Sequence, residues 1–184
     1  SDNAATSYTI NLIAGLDAPD PTGGYLPISA MAPAGGGVGS VVDMAKYLLT
    51  QLNNGVTPDG TRIVSEDNLL RTRQVQNPVP DENFTFPDFV SYNGYGMGWV
   101  SLTVGDVDVW WHNGGIDGFL TDMVIIPEAD AGMVIMSNSL TAFATNLWIL
   151  LEFVNQLYEL EIDSIEADTD ALLNAQMAGT NLLA

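Results

Sequence analysis

A chain of 184 residues, 47% of them hydrophobic, is long enough for one domain with a sizeable core. It carries 23 acidic residues against 4 basic ones, a net charge of −19. Lys46, Arg62, Arg71 and Arg73 cannot supply the clustered cations that bind nucleic acid or anionic lipid, and the absence of cysteine excludes disulfides and thiolate metal sites.

No apolar run reaches the ~20 residues that span a bilayer, so no membrane-spanning segment is expected. The start, SDNAATSYTI, lacks a basic n-region and a long apolar h-region, so it does not read as a signal peptide. DAPDPTGGYLP, residues 17–27, reads as loop, and APAGGGVGS, residues 32–40, as a glycine-rich loop leading into a helix. Ser40 is the N-cap of that helix, with Asp43 at its third position as a short capping box. Val42, Ala45, Leu48, Leu49 and Leu52 then recur at helical spacing up to Gly55. TPDGTRIV is a turn with a short extended piece, and Ser65 caps a second helix through about Gln76. NPVPDENFTFPDF, residues 77–89, is broken by prolines.

From about Gly94 the period changes. YGMGWVSLTV, DVDVWWH, GFLTDMVIIP and AGMVIMSNS are strand-length pieces separated by Gly-Asp, Gly-Gly and Glu-Ala-Asp-Ala links, which predicts an antiparallel meander. Residues 141–161 predict a helix, with apolar residues at 143, 147, 150, 151, 154, 157 and 158. The tail, residues 165–184, is a short helix or a linker after a domain spanning 1–164. The class is α+β, an antiparallel sheet flanked by helices. Three or four strands make a small sheet for this much helix, so further strands are expected from elsewhere.

His112 is the only histidine, and it follows Val109, Trp110 and Trp111 at the end of a strand. Residues 110 and 112 should share one face and Trp111 the other. Gly114 and Gly115 lack side chains, so a ligand can approach their amides, and a pair of amides can stabilise an oxyanion. The plainer reading is a structural histidine beside a turn, and composition alone favours it. Gly35–Gly37 lacks the Gly-Lys-Ser/Thr ending of a P-loop and reads as a packing turn. Asp106 and Asp108 read as a solvated strand face, Asp168 and Asp170 are too few for a calcium loop, and Ser91-Tyr92-Asn93 reads as a chance Ser-x-Asn match before a strand. No metal and no cofactor is expected. The acidity suits a salt-rich environment, or simply a soluble acidic protein.

Several stretches in order resemble the serine β-lactamase-related family of class C β-lactamases, penicillin-binding-type peptidases and esterases. AGGGVGSVVDMAKYLLTQLNNG is similar to its glycine-rich turn and helix, and SEDNLLRTRQVQNP to the next helix. YGMGW resembles the start of its long strand, and HNGGIDGF its third catalytic motif, Lys-Thr-Gly or His-x-Gly. MVIIPEADAGMVIMSNS resembles the closing hairpin, before a C-terminal helix. The resemblance covers about residues 24–160. It implies that His112 stands beside the nucleophile and binds or polarises substrate, that Asn113 and Gly114 complete the motif and bind substrate, and that the Gly115 amide is half of the oxyanion hole.

The family's nucleophile lies in Ser-x-x-Lys, where the lysine activates the serine, and its second motif is Tyr-x-Asn. Here Lys46 is the only lysine, Asp43 stands three places before it, and Tyr-x-Asn is absent. The resemblance therefore implies the C-terminal portion of a fold whose N-terminal portion, with the serine, lies outside this sequence. It implies a small-molecule or peptide substrate, and as partner the missing portion or a second copy of the chain. It also implies a secreted or periplasmic setting. The alternative is a non-catalytic binding or assembly module that docks through a sheet edge.

Overall fold

The computed structural model describes residues 4–11, 15–17, 32–78, 86–116, 118–160, 162, 165 and 171. Most of the predicted loop 17–27, part of the proline-broken stretch and nearly all of the tail lie outside the described residues. A short hairpin pairs β1 (Thr9–Asn11) with β2 (Gly15–Asp17). One helical turn, α1 (Ala32–Gly35), precedes the first long helix. The expected packing turn at the three glycines is only partly present: a Cβ on Gly36 would crowd Ala32, whereas Gly35 and Gly37 face open space.

Helix α2 (Val41–Leu52) starts on the predicted capping box. Ser40 Oγ accepts from the Asp43 amide at 3.3 Å, and Asp43 Oδ2 accepts from the Ser40 amide at 3.2 Å. The buried stripe is narrower than the predicted one. Leu48 and Leu52 face the sheet, whereas Val42 and Leu49 are exposed. Helix α3 (Glu66–Arg73) is capped by Ser65 and stops short of Gln76. Gln74 turns extended, and Gln76 and Asn77 donate instead to Tyr95 O.

Five antiparallel strands follow in the order β3 (Val90–Tyr95), β4 (Val100–Val104), β5 (Val107–Ile116), β6 (Phe119–Ile126) and β7 (Ala131–Ser137). The sheet is one strand larger than the sequence suggests, because Val90–Tyr95 is itself a strand. Its alternation is masked by Gly94 and by a register shift between Tyr92 and Gly94. Ser91-Tyr92-Asn93 therefore lies inside a strand, and the stretch YGMGW spans the end of β3, a turn and the approach to β4.

Strand β5 is longer than the sequence suggests. It does not end at His112 but runs on through Asn113, Gly114 and Gly115 to Ile116, paired with β6. Ile116 pairs with Phe119, and Gly118 has a φ of +81°, where a side chain would be strained.

Helix α4 (Phe143–Tyr158) covers one face of the sheet. Leu147, Leu150, Leu151 and Val154 pack there against Val107, Val109, Trp111, Val124 and Ile126, and Ile165 joins the same core. Helix α2 covers part of the other face, with Leu48 against Trp99 and Ile125 and with Trp110 and Met123 beside them. At roughly 25 cal/mol per Å² of buried apolar surface, these two faces are the main source of stability.

Among the described residues one ion pair is present, Lys46–Asp43 at 3.4 Å, with both side chains exposed. It offsets little of a net charge of −19. Raising salt from about 0.1 M to 1 M shortens the screening length from ~10 Å to ~3 Å. We expect the melting temperature to rise by roughly 5 °C over that range, as like-charge repulsion is screened. A melting curve that is flat or falls with KCl would count against the repulsion.

Candidate active-site edge on strand β5

The last pair between β4 and β5 is Val100–Trp111, whereas β6 follows β5 to its end. Among the described residues, His112–Ile116 thus pair on one side only, and their other backbone edge carries no strand. An unpaired edge offers N–H and C=O groups to an incoming chain or carbonyl. Four of the sequence-predicted site residues, His112, Asn113, Gly114 and Gly115, lie in succession along it.

Trp110 and Trp111 fall on opposite faces, and strand alternation extends that order to the residues after them. Trp110 packs on the α2 side and Trp111 on the α4 side, so His112 and Gly114 share the α2 side and Asn113 and Gly115 the other. Among the described residues, a Cβ on Gly114 would meet nothing within 4 Å, so they leave this position open to a ligand. A Cβ on Gly115 would lie 2.8 Å from Leu140 Cδ2, so this position is backed by a side chain.

His112 is half-buried, and its Nε2 lies 3.0 Å from Tyr95 Oη. Tyr95 is the last residue of β3 and is fixed from outside. Its carbonyl accepts from the amides of Gln76 (2.8 Å) and Asn77 (3.0 Å), and its amide donates to Asn77 O at 3.0 Å. Gly96 must be glycine here, because a Cβ would run into Thr72 O. The α3 end thus clamps the residue that touches the histidine. The same helix end takes the Trp110 indole N–H on Arg73 O at 3.1 Å.

On the other face, Asp122 lies opposite Asn113 and is 2% exposed. Its Oδ1 accepts from Trp111 Nε1 at 3.1 Å and its Oδ2 from Asn146 Nδ2 at 2.9 Å. Ser137 Oγ donates to Asn146 Oδ1 at 2.9 Å. Burial pushes the Asp122 carboxyl up, against the Asn146 and Trp111 hydrogen bonds and the His112 charge, which pull it down. The network ties β5, β6, β7 and α4 together directly beneath the open edge. Reading the sequence for motifs misses Asp122. Its signal was present, since it shares the parity of Leu120, Val124 and Ile126, the core face of its strand.

Other candidates do not converge on this edge. Asn93 donates to Thr103 Oγ1 at 2.9 Å, and Thr103 Oγ1 to Asp108 Oδ1 at 3.3 Å, a ladder on the exposed sheet face. Asp106 is exposed in the β4–β5 turn. Among the described residues no three His, Asp or Glu side chains gather where a metal ion could sit. Nor is any helix among them long and apolar enough to cross a membrane.

The family profile described as Beta-lactamase matches residues 2–155. The chain is 27% identical over 128 residues to unguisins hydrolase ungD' of Aspergillus campestris, an alignment covering 67% of this chain and 22% of that protein. It is 27% identical over 133 residues to penicillin-binding protein 4 of Amycolatopsis lactamdurans, covering 71% of this chain and 33% of that one. The octameric penicillin-binding protein homologue of Pyrococcus abyssi superposes with a TM-score of 0.59 at 20% identity, over 84% of this chain and 31% of its own. That likeness shows a shared fold. The chain spans between 22% and 33% of the length of these three proteins.

Proposed function

The chain belongs to the Beta-lactamase family, and from that premise we propose that it is the C-terminal portion of a serine hydrolase acting by acyl transfer on an ester, peptide or β-lactam carbonyl. Residues 1–164 form that portion and residues 165–184 are a tail or linker. The nucleophile is a serine of a Ser-x-x-Lys pair outside this sequence. Its Oγ attacks the substrate carbonyl, the lysine takes the proton, and the leaving group departs to give an acyl-enzyme that water then hydrolyses. The Gly115 amide takes up the negative charge that develops on the carbonyl oxygen. His112 binds and polarises the substrate, and Asn113 and Gly114 line its path. The partner that completes the sheet and the site is the N-terminal portion, or a second copy of the chain.

The observation that carries this reading is the edge itself: His-Asn-Gly-Gly on a strand whose β4-side neighbour has ended, with open space over Gly114. Two relatives, named as a hydrolase and as a penicillin-binding protein, support the same class.

Gly114→Ala tests it. Gly114 does not have a positive φ, and a methyl there meets none of the described residues. Stability should therefore be unchanged or rise by up to about 1 kcal/mol. In the complete protein the same methyl stands in the substrate's path, and kcat/KM should fall by at least about tenfold, close to 1.4 kcal/mol. A variant that keeps full activity would show that substrate does not pass over Gly114.

A further inference from the structure

The contact between Tyr95 and His112 is not explained by packing alone. The two rings are tilted by 53° with centroids 5.9 Å apart, and the polar atoms meet at 3.0 Å. Among the described residues, neither Tyr95 Oη nor either ring nitrogen of His112 has another hydrogen-bond partner. Three backbone hydrogen bonds to residues 76–77 fix where the tyrosine starts, and Gly96 lets the α3 end press against the next residue.

We propose that Tyr95 is a positioning residue for His112: its phenol donates to Nε2 and so holds the imidazole proton on Nδ1. A neutral imidazole carries one proton, and its site is set by the hydrogen bond the other nitrogen makes. A phenol O–H is a good donor and an imidazole lone pair a good acceptor, whereas the phenol oxygen is a weak acceptor. The neutral pair therefore adopts O–H···Nε2. The carboxyl oxygens of Asp122, on the neighbouring strand β6, accept from Trp111 and Asn146 rather than from the ring.

The consequence deepens, and rests on, the reading of β5 as an active-site edge. With the Nε2 lone pair occupied, His112 does not serve as a general base through that atom. It presents Nδ1–H, a donor suited to an acceptor oxygen of the substrate, a carbonyl or a carboxylate. Tyr95 then selects for substrates that bring an acceptor to this end of the strand.

The proton can be located without any substrate. With one histidine in 184 residues, selective 15N labelling gives one pair of ring nitrogens. Well above the ordinary imidazole pKa of about 6.5, Nδ1 should show the protonated shift and Nε2 the unprotonated one. Tyr95→Phe removes only the hydroxyl, and the ratio of Nδ1–H to Nε2–H should fall at least about fivefold, as expected for the loss of one hydrogen bond. A native ring protonated on Nε2, or a ratio unmoved by Tyr95→Phe, overturns the proposal. Should the variant fail to fold, the native chain still decides. A Tyr95 hydroxyl proton coupled to Nε2 supports the proposal, and a proton bonded to Nε2 refutes it. Lack of hydrolysis by the complete protein would sink the hydrolase reading and leave this result intact, and the reverse also holds.

Discussion

Asp122→Ala is expected to lower the folding free energy by about 3 kcal/mol, close to 10 °C in melting temperature for a chain of this size. The carboxylate accepts from Trp111 and Asn146 and is 2% exposed, so alanine strands two buried donors and opens a cavity between the sheet and α4. Part of that loss is returned, because burial already disfavours the charged carboxyl. Asp122→Asn keeps the volume and should cost less. The two variants also separate by pH. The folded carboxyl is raised above its unfolded value of about 3.9. Its contribution is therefore fully present below the unfolded pKa and is lost as pH rises through the folded one. The native chain should gain stability relative to Asp122→Asn as pH is lowered through that window. A native chain that loses ground to Asp122→Asn on acidification would mean that the carboxyl is not raised.

His112→Ala in the complete protein is expected to lower kcat/KM by about 10²–10³-fold, the range seen when one preorganised polar group is removed from a reacting carbonyl. The side chain is half-buried at the strand edge and, among the described residues, hydrogen-bonds Tyr95 alone, so the fold should lose far less than in Asp122→Ala. A split between activity and melting temperature is the signature. If His112→Ala hydrolyses substrate at the native rate, the histidine is a structural residue of β5.

The parts of the fold legible in the sequence are those set by local chemistry. The Ser40–Asp43 box and the Ser65 cap are written in adjacent residues, and the alternation in β4 to β7 follows from a half-buried sheet. Strand β3 was hidden because Gly94 and the bulge beside it interrupt the period, and because the prolines just upstream suggest loop. The course of β5 is obscured in the sequence for a related reason. Gly114 and Gly115 read as a turn, yet they continue a strand because β6 pairs with them as far as Ile116. The stripe on α2 shows a third limit. Val42 and Leu49 fit the helical period, but no described element covers them.

The site was half legible. His112–Gly115 stand out as the lone histidine before two glycines, and the strand edge places them together. Tyr95 and Asp122 touch that segment from β3 and β6, partnerships that only the sheet register creates. The parity of Asp122 within an apolar strand was a usable sign. No comparable sign marks Tyr95, because nothing in its own neighbourhood points to residue 112.

The most direct measurement is to treat the complete gene product, and separately this 184-residue chain, with a serine-directed fluorophosphonate and to map the labelled peptide. The expected result is one label on the serine of a Ser-x-x-Lys pair outside these residues, blocked by substrate, with the chain alone unlabelled and unable to hydrolyse p-nitrophenyl esters. A label on one of the chain's own serines, or a complete protein that takes no label, would contradict the reading of β5 as one wall of a serine hydrolase site.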